Sequence, residues 1–229
     1  MRTARLLAVL STLAASSVLA GCGGNDQPSE SPRTTLAAAK RNLDRTSGVR
    51  IGLSTPRLPS GVSGLLSAQG VGTHAPAFDG TIKVAAAGIT ADATVVAVHG
   101  RVLAKLPFST RFVTIDPADY GAPDPAELMS SKGGLSSLLT SAEHVKAGKQ
   151  VRQGKVVLHS YTGSVPGRAV AAVLPSAAAK ADFDATFTVT DQQRLTKAVL
   201  TGPFYPRAGD VTYTVTFDDY GIRKHISAP

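Results

Sequence analysis

The sequence contains no tryptophan, and only one of its 229 residues is a cysteine. A single cysteine excludes an intramolecular disulfide framework, a CxxC redox pair and a cysteine-rich zinc site. Charged residues are also scarce, at 17%, whereas hydrophobic residues make up 43% of the chain. This balance excludes an intrinsically disordered protein and predicts a single folded domain of about 200 residues.

Signals for catalysis are equally sparse. The sequence has no G-x-S-x-G elbow, no phosphate-binding P-loop, no G-x-G-x-x-G turn and no H-E-x-x-H helix. Its acidic pairs, such as Asp218 with Asp219, lie in turn-like contexts that capping and solvation explain. The five histidines are scattered without metal-ligand spacing: His74, His99, His144, His159 and His225. We therefore predict no enzyme, no metal and no cofactor, and a hydrolase has only scattered histidines and aspartates in its favour.

The N-terminus carries an export signal. Arg2 and Arg5 precede an apolar run to Leu19 that is too short for a spanning helix. The run ends in Leu-Ala-Gly-Cys22, the pattern of the bacterial lipobox, in which the cysteine is acylated before cleavage. We predict a signal peptide over 1–21 and lipidation of Cys22. The protein would then be anchored in the cell membrane on its extracytoplasmic face; an ordinary signal peptide with a chance cysteine is the alternative.

The residues after Cys22 are polar or backbone-breaking, and we predict a flexible tether over 22–33 before a single domain over 34–229. The net charge of +8 falls to about +6 when Arg2 and Arg5 are removed with the signal. The basic residues are dispersed and the chain is exported, so we expect no nucleic-acid partner.

Periodicity predicts one amphipathic helix at about 33–46, followed by short strands. Asp124-Pro125-Ala126-Glu127 matches a helix start, with an Asp cap and Pro at the first position. Two further helical segments are predicted, at about 135–142 and 165–174. The strands are predicted to begin at Val49 and to continue as an antiparallel meander at about 65–72, 80–87, 89–98, 101–106 and 110–115. Further strands are predicted at about 143–152, 155–163, 183–190, 194–202 and 211–219.

One face of the predicted sheet is apolar and unusually small. The alternation that predicts this face selects Ile82, Val84, Ala86, Ile89, Ala91, Ala93, Val95, Ala97, Val102 and Ala104. Protein interiors pack to crystal-like density, so the missing volume has to be supplied by closely approaching helices or by a ligand. Composition alone leaves these two interpretations open.

Four stretches carry a resemblance to a known family: the lipobox at Cys22, the strand pair within 80–100, the segment from Asp124 to Leu139, and the strands from Phe183 to Phe217. In their order and spacing they resemble the LppX/LprAFG lipoproteins of mycobacteria and related actinobacteria.

The resemblance implies an α+β fold in which a strongly curved antiparallel sheet, a half-barrel, carries helices over its concave face and encloses a hydrophobic cavity. It also implies that acylated lipids or glycolipids are carried between the plasma membrane and the outer envelope without chemical change. The ten residues of the small apolar face would line that cavity. We expect a monomer with an envelope lipid transporter as a candidate partner, and the alternative is a structural or adhesion lipoprotein with a tightly packed, ligand-free core.

Overall fold

The computed structural model describes residues 30–86, 88–120 and 122–229. The predicted signal peptide, Cys22 and most of the predicted tether lie outside these residues.

The described residues form one large antiparallel sheet of eleven strands. In spatial order the strands run β6-β5-β4-β3-β2-β1-β11-β10-β9-β8-β7, so the first and last strands of the chain pair at its centre. The sheet is open, because β6 and β7 are its two edges, which confirms the predicted α+β class with an unclosed half-barrel. The strands are β1 Gly48–Ser54, β2 Gly64–Thr73, β3 Ala77–Ala86, β4 Ile89–Val98, β5 Arg101–Lys105, β6 Val113–Ile115, β7 Glu143–Gln153, β8 Val156–Pro166, β9 Asp182–Thr190, β10 Leu195–Gly202 and β11 Val211–Asp218.

Tight turns join most neighbouring strands. His99 and Gly100 connect β4 to β5 with φ of +55° and +68°, the left-handed pair that matches the twist of a two-residue hairpin. Because β1 to β6 pair consecutively, the predicted meander is confirmed in that half of the sheet, and β7 to β11 form a second meander on the other side of the central β1–β11 pair.

The first helix, α1, spans Pro32–Arg45. Ser31 caps it, since its Oγ accepts a hydrogen bond from the Thr34 N–H at 3.2 Å, and Pro32 occupies the first helical position. The helix therefore begins one residue before the predicted start, and the last two residues assigned to the tether belong to it. Its buried face includes Leu36, Ala39 and Leu43.

The helix predicted to start at Asp124 does not form. Asp124 Oδ1 accepts a hydrogen bond from the Ala126 N–H at 2.8 Å, and only a short 3-10 helix follows at Glu127–Met129. Asp124 does act as a cap, but no α-helix follows it. The chain turns away at Gly133, four residues after Met129, where φ is +86°. Another 3-10 helix lies at Pro117–Tyr120.

Two short α-helices complete the fold. The helix α2 spans Ser137–Ser141 and buries Leu138 and Leu139, in agreement with the predicted segment. The helix α3 spans Gly167–Val173, whereas the first residues predicted to be helical, Val165 and Pro166, end strand β8.

The main core lies between the three α-helices and one face of the sheet. Leu36, Leu139 and Val170 of the helices pack there with Phe187 of β9 and Phe217 of β11. The α-helices contact β7 to β10, so they cover only one half of this face. On the opposite face of the sheet, Ile226 of the C-terminal segment packs against β3 and β4, and Lys224 Nζ lies 2.7 Å from Asp79 Oδ2.

Candidate functional site

The strand register brings all ten predicted residues onto one face. Ile82 is paired with Ala93, Val84 with Ala91, and Ala86 with Ile89 between β3 and β4. Paired residues share a face of a sheet, and the same register places Val95, Ala97, Val102 and Ala104 on it through β5. Phe78 and Gly72 connect this set to Val49 of the main core. The set therefore continues the helix-covered face into the other half of the sheet.

Burial divides this set into two ends. Five residues are buried: Ala93, Val95, Ala97, Val102 and Ala104. Ile82, Val84 and Ala91 are half-buried, whereas Ala86 is exposed and Ile89 has 70% of its surface exposed. The small face is thus covered at the end near the β4–β5 turn and open toward the β3–β4 turn.

Small residues at the covered end allow the segment between β6 and α2 to approach closely. Ala126 belongs to one buried cluster with Phe78, Val95 and Ala97, and it is 2% exposed. A Cβ atom at Gly72 would lie 2.6 Å from Cγ of Met129, which is itself buried. At this end, the close approach of a covering segment accounts for the missing side-chain volume.

At the open end, a half-buried apolar strip crosses four strands. Leu53 of β1 is paired with Ala68 of β2, which is paired with Ile82 of β3, and Leu65 is paired with Val84. We call this set the open strip, and its members are Leu53, Leu65, Ala68, Ile82, Val84 and Ala91.

Sequence reasoning missed three members of the open strip. Leu65 reaches this face because the register shifts at a bulge between Leu65 and Ser67, which simple alternation does not predict. Leu53 and Ala68 lie on strands that were not included in the small face. The alternation of Leu53 with Ile51 was the available signal for the first of these.

A tyrosine pair borders the open strip. Tyr213 of β11 donates its hydroxyl hydrogen to the Leu65 carbonyl oxygen at 2.7 Å. The Tyr205 hydroxyl lies 2.7 Å from that of Tyr213 and so acts as its donor. Burial raises the pKa of Tyr213 well above its usual value. Tyr213 therefore stays neutral, and the two hydroxyl groups place polar atoms beside an apolar surface.

Two clefts lie elsewhere, and the first is lined mainly by polar groups. One of about 310 Å³ lies between α1 and the β9–β10 turn, with Asn42, Arg45 and Tyr220 in its wall. The other, of about 280 Å³, lies between Leu58 and Asp210. Neither cleft contains any of the ten predicted residues.

The described part of the chain offers no cluster of three or more His, Cys, Asp or Glu side chains for a metal ion. His74 has a structural partner, because its Nε2 lies 2.7 Å from the Leu43 carbonyl oxygen. Over the same residues, none of the helices is both long and apolar enough to cross a membrane.

Comparison with known proteins agrees with this architecture. LprF from Mycobacterium bovis superposes with a TM-score of 0.70 at 13% identity, covering 88% of this chain and 98% of that chain. Lipoprotein LppX from Mycobacterium tuberculosis superposes with a TM-score of 0.61 at 15% identity, covering 86% and 98%. At these identities the likeness establishes the fold. Comparison with curated protein sequences gives no match.

The model of the LppX_LprAFG lipoprotein family matches residues 31–223, from the cap of α1 to the C-terminal segment. The resemblance in the sequence is thereby confirmed, and the chain belongs to the LppX_LprAFG lipoprotein family.

Proposed function

We propose that this lipoprotein binds acylated lipids on the open strip and carries them between the plasma membrane and the outer envelope. The observation that carries the proposal is the strip itself: six apolar side chains lie side by side across four strands, half-exposed and continuous with a fully buried core. Apolar surface left open at the border of a core is characteristic of a binding site for an apolar ligand.

The chemistry of the strip suits an acyl chain. Hydrocarbon binds through buried area, at about 25 cal/mol per Å² or about 0.8 kcal/mol per methylene, and needs no catalytic group. The Tyr205 hydroxyl oxygen at the border can accept a hydrogen bond from a headgroup hydroxyl, since its own hydrogen is donated to Tyr213. The resemblance to the LppX/LprAFG lipoproteins, which implies carriage of acylated lipids, also supports a lipid ligand.

The proposed cellular setting follows from the N-terminal pattern. Acylated Cys22 would hold the domain at the extracytoplasmic face of the cell membrane, where envelope lipids are available. We propose a monomeric carrier that receives or delivers cargo with the help of an envelope lipid transporter. No step of this function requires the cargo to react.

A matched pair of tryptophan variants tests the binding surface. Ile82 lies in the open strip, whereas Thr81, the preceding residue of β3, is exposed on the opposite face. Ile82→Trp should fold normally and lose bound lipid, because the indole occupies space that an acyl chain needs, and Thr81→Trp should keep its lipid. Both proteins are purified from the native host, and bound lipid is measured by native mass spectrometry and organic extraction.

The alternative, a ligand-free structural lipoprotein, is favoured by the burial of Ala126 in one cluster with Ala97 at the covered end. If that packing extended over the whole face, the wild-type protein would carry no lipid. The melting temperature of Ile82→Trp would also fall far below that of Thr81→Trp. That pair of results would contradict a lipid carrier.

A further inference from the structure

Four large apolar side chains project from the end of the sheet where the open strip meets solvent. Among the described residues, seven large hydrophobic side chains are exposed, and four of them are at this end. Ile89 is 70% exposed, Leu106 54%, Val113 48%, and Phe108 is fully exposed. They lie at the β3–β4 turn and in or beside the loop between β5 and β6, which the antiparallel order places at one end. We call these four residues the apolar tip.

The backbone conformation and exposure of Phe108 are unfavourable for folding. Its φ is +64°, in the left-handed region that bulky side chains rarely adopt, and its ring makes no use of the core. The turn itself is well made, because the Ser109 N–H donates to the Leu106 carbonyl oxygen at 3.1 Å and Ser109 Oγ donates to the Arg111 carbonyl oxygen at 2.9 Å. Glycine would satisfy this backbone better, so folding does not explain a phenylalanine here.

Positive charge accompanies the tip. Between Asp92 and Asp116 the sequence has no acidic residue, and Lys105 and Arg111 flank the loop that carries Phe108. Lys105 Nζ lies 5.4 Å from the centre of the Phe112 ring, so this ammonium is held at the base of the loop. Exposed apolar side chains next to cations are the composition that binds the interface of an anionic bilayer.

The tip is also the outer margin of the proposed binding surface. Ile89 is paired with Ala86, the next pair on this face after the Val84–Ala91 pair of the open strip, and Val113 is paired with Ala104 on the same face. Ile89 and Val113 therefore extend the apolar face of the sheet to the tip.

We propose that the apolar tip inserts into the interface of anionic bilayers and that lipids enter or leave the open strip there. This inference deepens the proposed function, since it names the surface through which the carrier meets its membrane. Phe108 is the central inserting residue, and Lys105 and Arg111 attract the anionic headgroups.

The absence of tryptophan makes a direct test possible. Phe108→Trp introduces one indole at the tip, and Val151→Trp introduces one at an exposed site of the β7–β8 hairpin, at the opposite end of the sheet. Each full-length protein, processed by its host, is reconstituted with phosphatidylcholine vesicles containing about one third phosphatidylglycerol.

We expect the emission of the Phe108→Trp protein to shift to the blue and to be quenched by brominated lipids. The emission of the Val151→Trp protein should remain unquenched, because its indole stays in water. Quenching of the Val151→Trp protein instead of the Phe108→Trp protein, or of neither, would overturn the proposal.

A second pair of variants separates docking from folding. Phe108→Gly relieves the left-handed backbone and should leave the melting temperature unchanged or slightly higher. It should slow lipid uptake from the same vesicles by about tenfold, because the buried ring is lost, while the final lipid content stays the same. Val151→Ser serves as the control and should leave the uptake rate unchanged. An unaltered rate for Phe108→Gly would contradict insertion of the tip.

The two cations of the loop provide an independent test of membrane docking. Lys105→Gln and Arg111→Gln should each slow uptake about fivefold from the anionic vesicles and have little effect with pure phosphatidylcholine.

A tip that instead joins two copies of this chain would make the wild type a dimer by light scattering and Phe108→Gly a monomer, and that result would overturn membrane docking. If no lipid is bound at all, the proposed function fails, whereas quenching of the Phe108→Trp indole still decides the role of the tip.

Discussion

Identical residues serve different purposes on the two ends of the small face. Ala97 has no exposed surface and belongs to one buried cluster with Phe78 and Ala126, whereas Ala91 is half-buried in the open strip. Both belong to β4, and both point to the same side. The role of each alanine is therefore decided by what lies above it.

Ala97→Trp should destabilise the protein, because the added indole overpacks a closed core. We expect a loss of about 1–3 kcal/mol or more in the free energy of unfolding, measured by urea denaturation of lipid-free protein. Ala91→Trp is the matched variant on the same strand and should cost much less. Equal losses for the two variants would contradict the division of this face into a covered and an open end.

Two buried tyrosines make the free energy of unfolding depend on pH in the alkaline range. Burial raises the pKa of both Tyr213 and Tyr220 above their ordinary value, so the folded state keeps both protons where the unfolded chain releases them. Their contribution is complete below the unfolded pKa of about 10 and is lost as pH rises further.

We expect the free energy of unfolding to fall above about pH 10, by up to about 1.4 kcal/mol per pH unit for each tyrosine. The double variant Tyr213→Phe, Tyr220→Phe should show a flatter decline, even though it loses hydrogen bonds to two carbonyl oxygens at every pH. Urea denaturation at pH 9, 10 and 11 measures the slope. Parallel slopes for wild type and variant would contradict titration of these groups.

At the scale of elements, a polar network fastens α1 to the segment before α2. Lys40 Nζ lies 2.6 Å from Asp44 Oδ2 and donates to the Ser131 carbonyl oxygen at 2.9 Å. Buried Ser136 donates its hydroxyl hydrogen to Asp44 Oδ1 at 2.6 Å. This network positions the helices that cover half of the sheet.

Asp44→Ala should cost about 1–3 kcal/mol, because it leaves the buried Ser136 hydroxyl and the Lys40 ammonium without their partner. Asp219→Ala removes the exposed Arg50 ion pair, at 2.9 Å, and should cost less than about 1 kcal/mol. Thermal and urea denaturation of both variants checks the difference. A smaller loss for Asp44→Ala than for Asp219→Ala would mean that the network does not fasten α1.

The edge hairpin β7–β8 has a different character. Almost every residue of β7 is exposed, and the strand carries Lys146, Lys149 and Arg152 against one acidic residue, Glu143. Register shifts interrupt its pairing with β8 at two places. Cations and bulges on a long edge strand oppose pairing with other chains, which suits a monomeric carrier.

At the scale of the whole molecule, the order of strands creates the site. The β1–β11 pair joins a helix-covered half and a largely helix-free half into one continuous face. An extended apolar ligand on the open strip would therefore lie against the main core without crossing a sheet edge.

The predicted lipid anchor also affects the whole molecule. Its attachment site, Cys22, lies outside the described residues. We expect Cys22→Ala to release the protein from membranes when residues 1–21 are replaced by an ordinary cleavable signal peptide, because no acyl chain can then be attached. Membrane pelleting after a high-salt wash measures this, and the wild-type N-terminal peptide should carry a diacylglyceryl cysteine by mass spectrometry. A wild-type N-terminal peptide without that modification would contradict the lipobox assignment.

Local pattern in the sequence was sufficient for most elements and for the composition of the face. Alternation in β3, β4 and β5 identified residues such as Ile82, Ala93 and Ala104, because side chains on a strand change sides with a period of two. The Ser31-Pro32 cap and the apolar spacing after it identified α1 to within one residue. The order and spacing of motifs were enough for the family.

Only the tertiary structure decided which part of that face is open. Covering depends on contacts between residues far apart in the chain, such as Ala126 with the cluster on β3 to β5 and Met129 with Gly72, and no local period encodes them. The bulge at Leu65 and the absence of an α-helix after Asp124 likewise depend on neighbouring segments, whose contacts override the local conformational preference of the chain. The apolar residues of the candidate site can therefore be predicted from the sequence, whereas the exposure of each residue is determined by the fold.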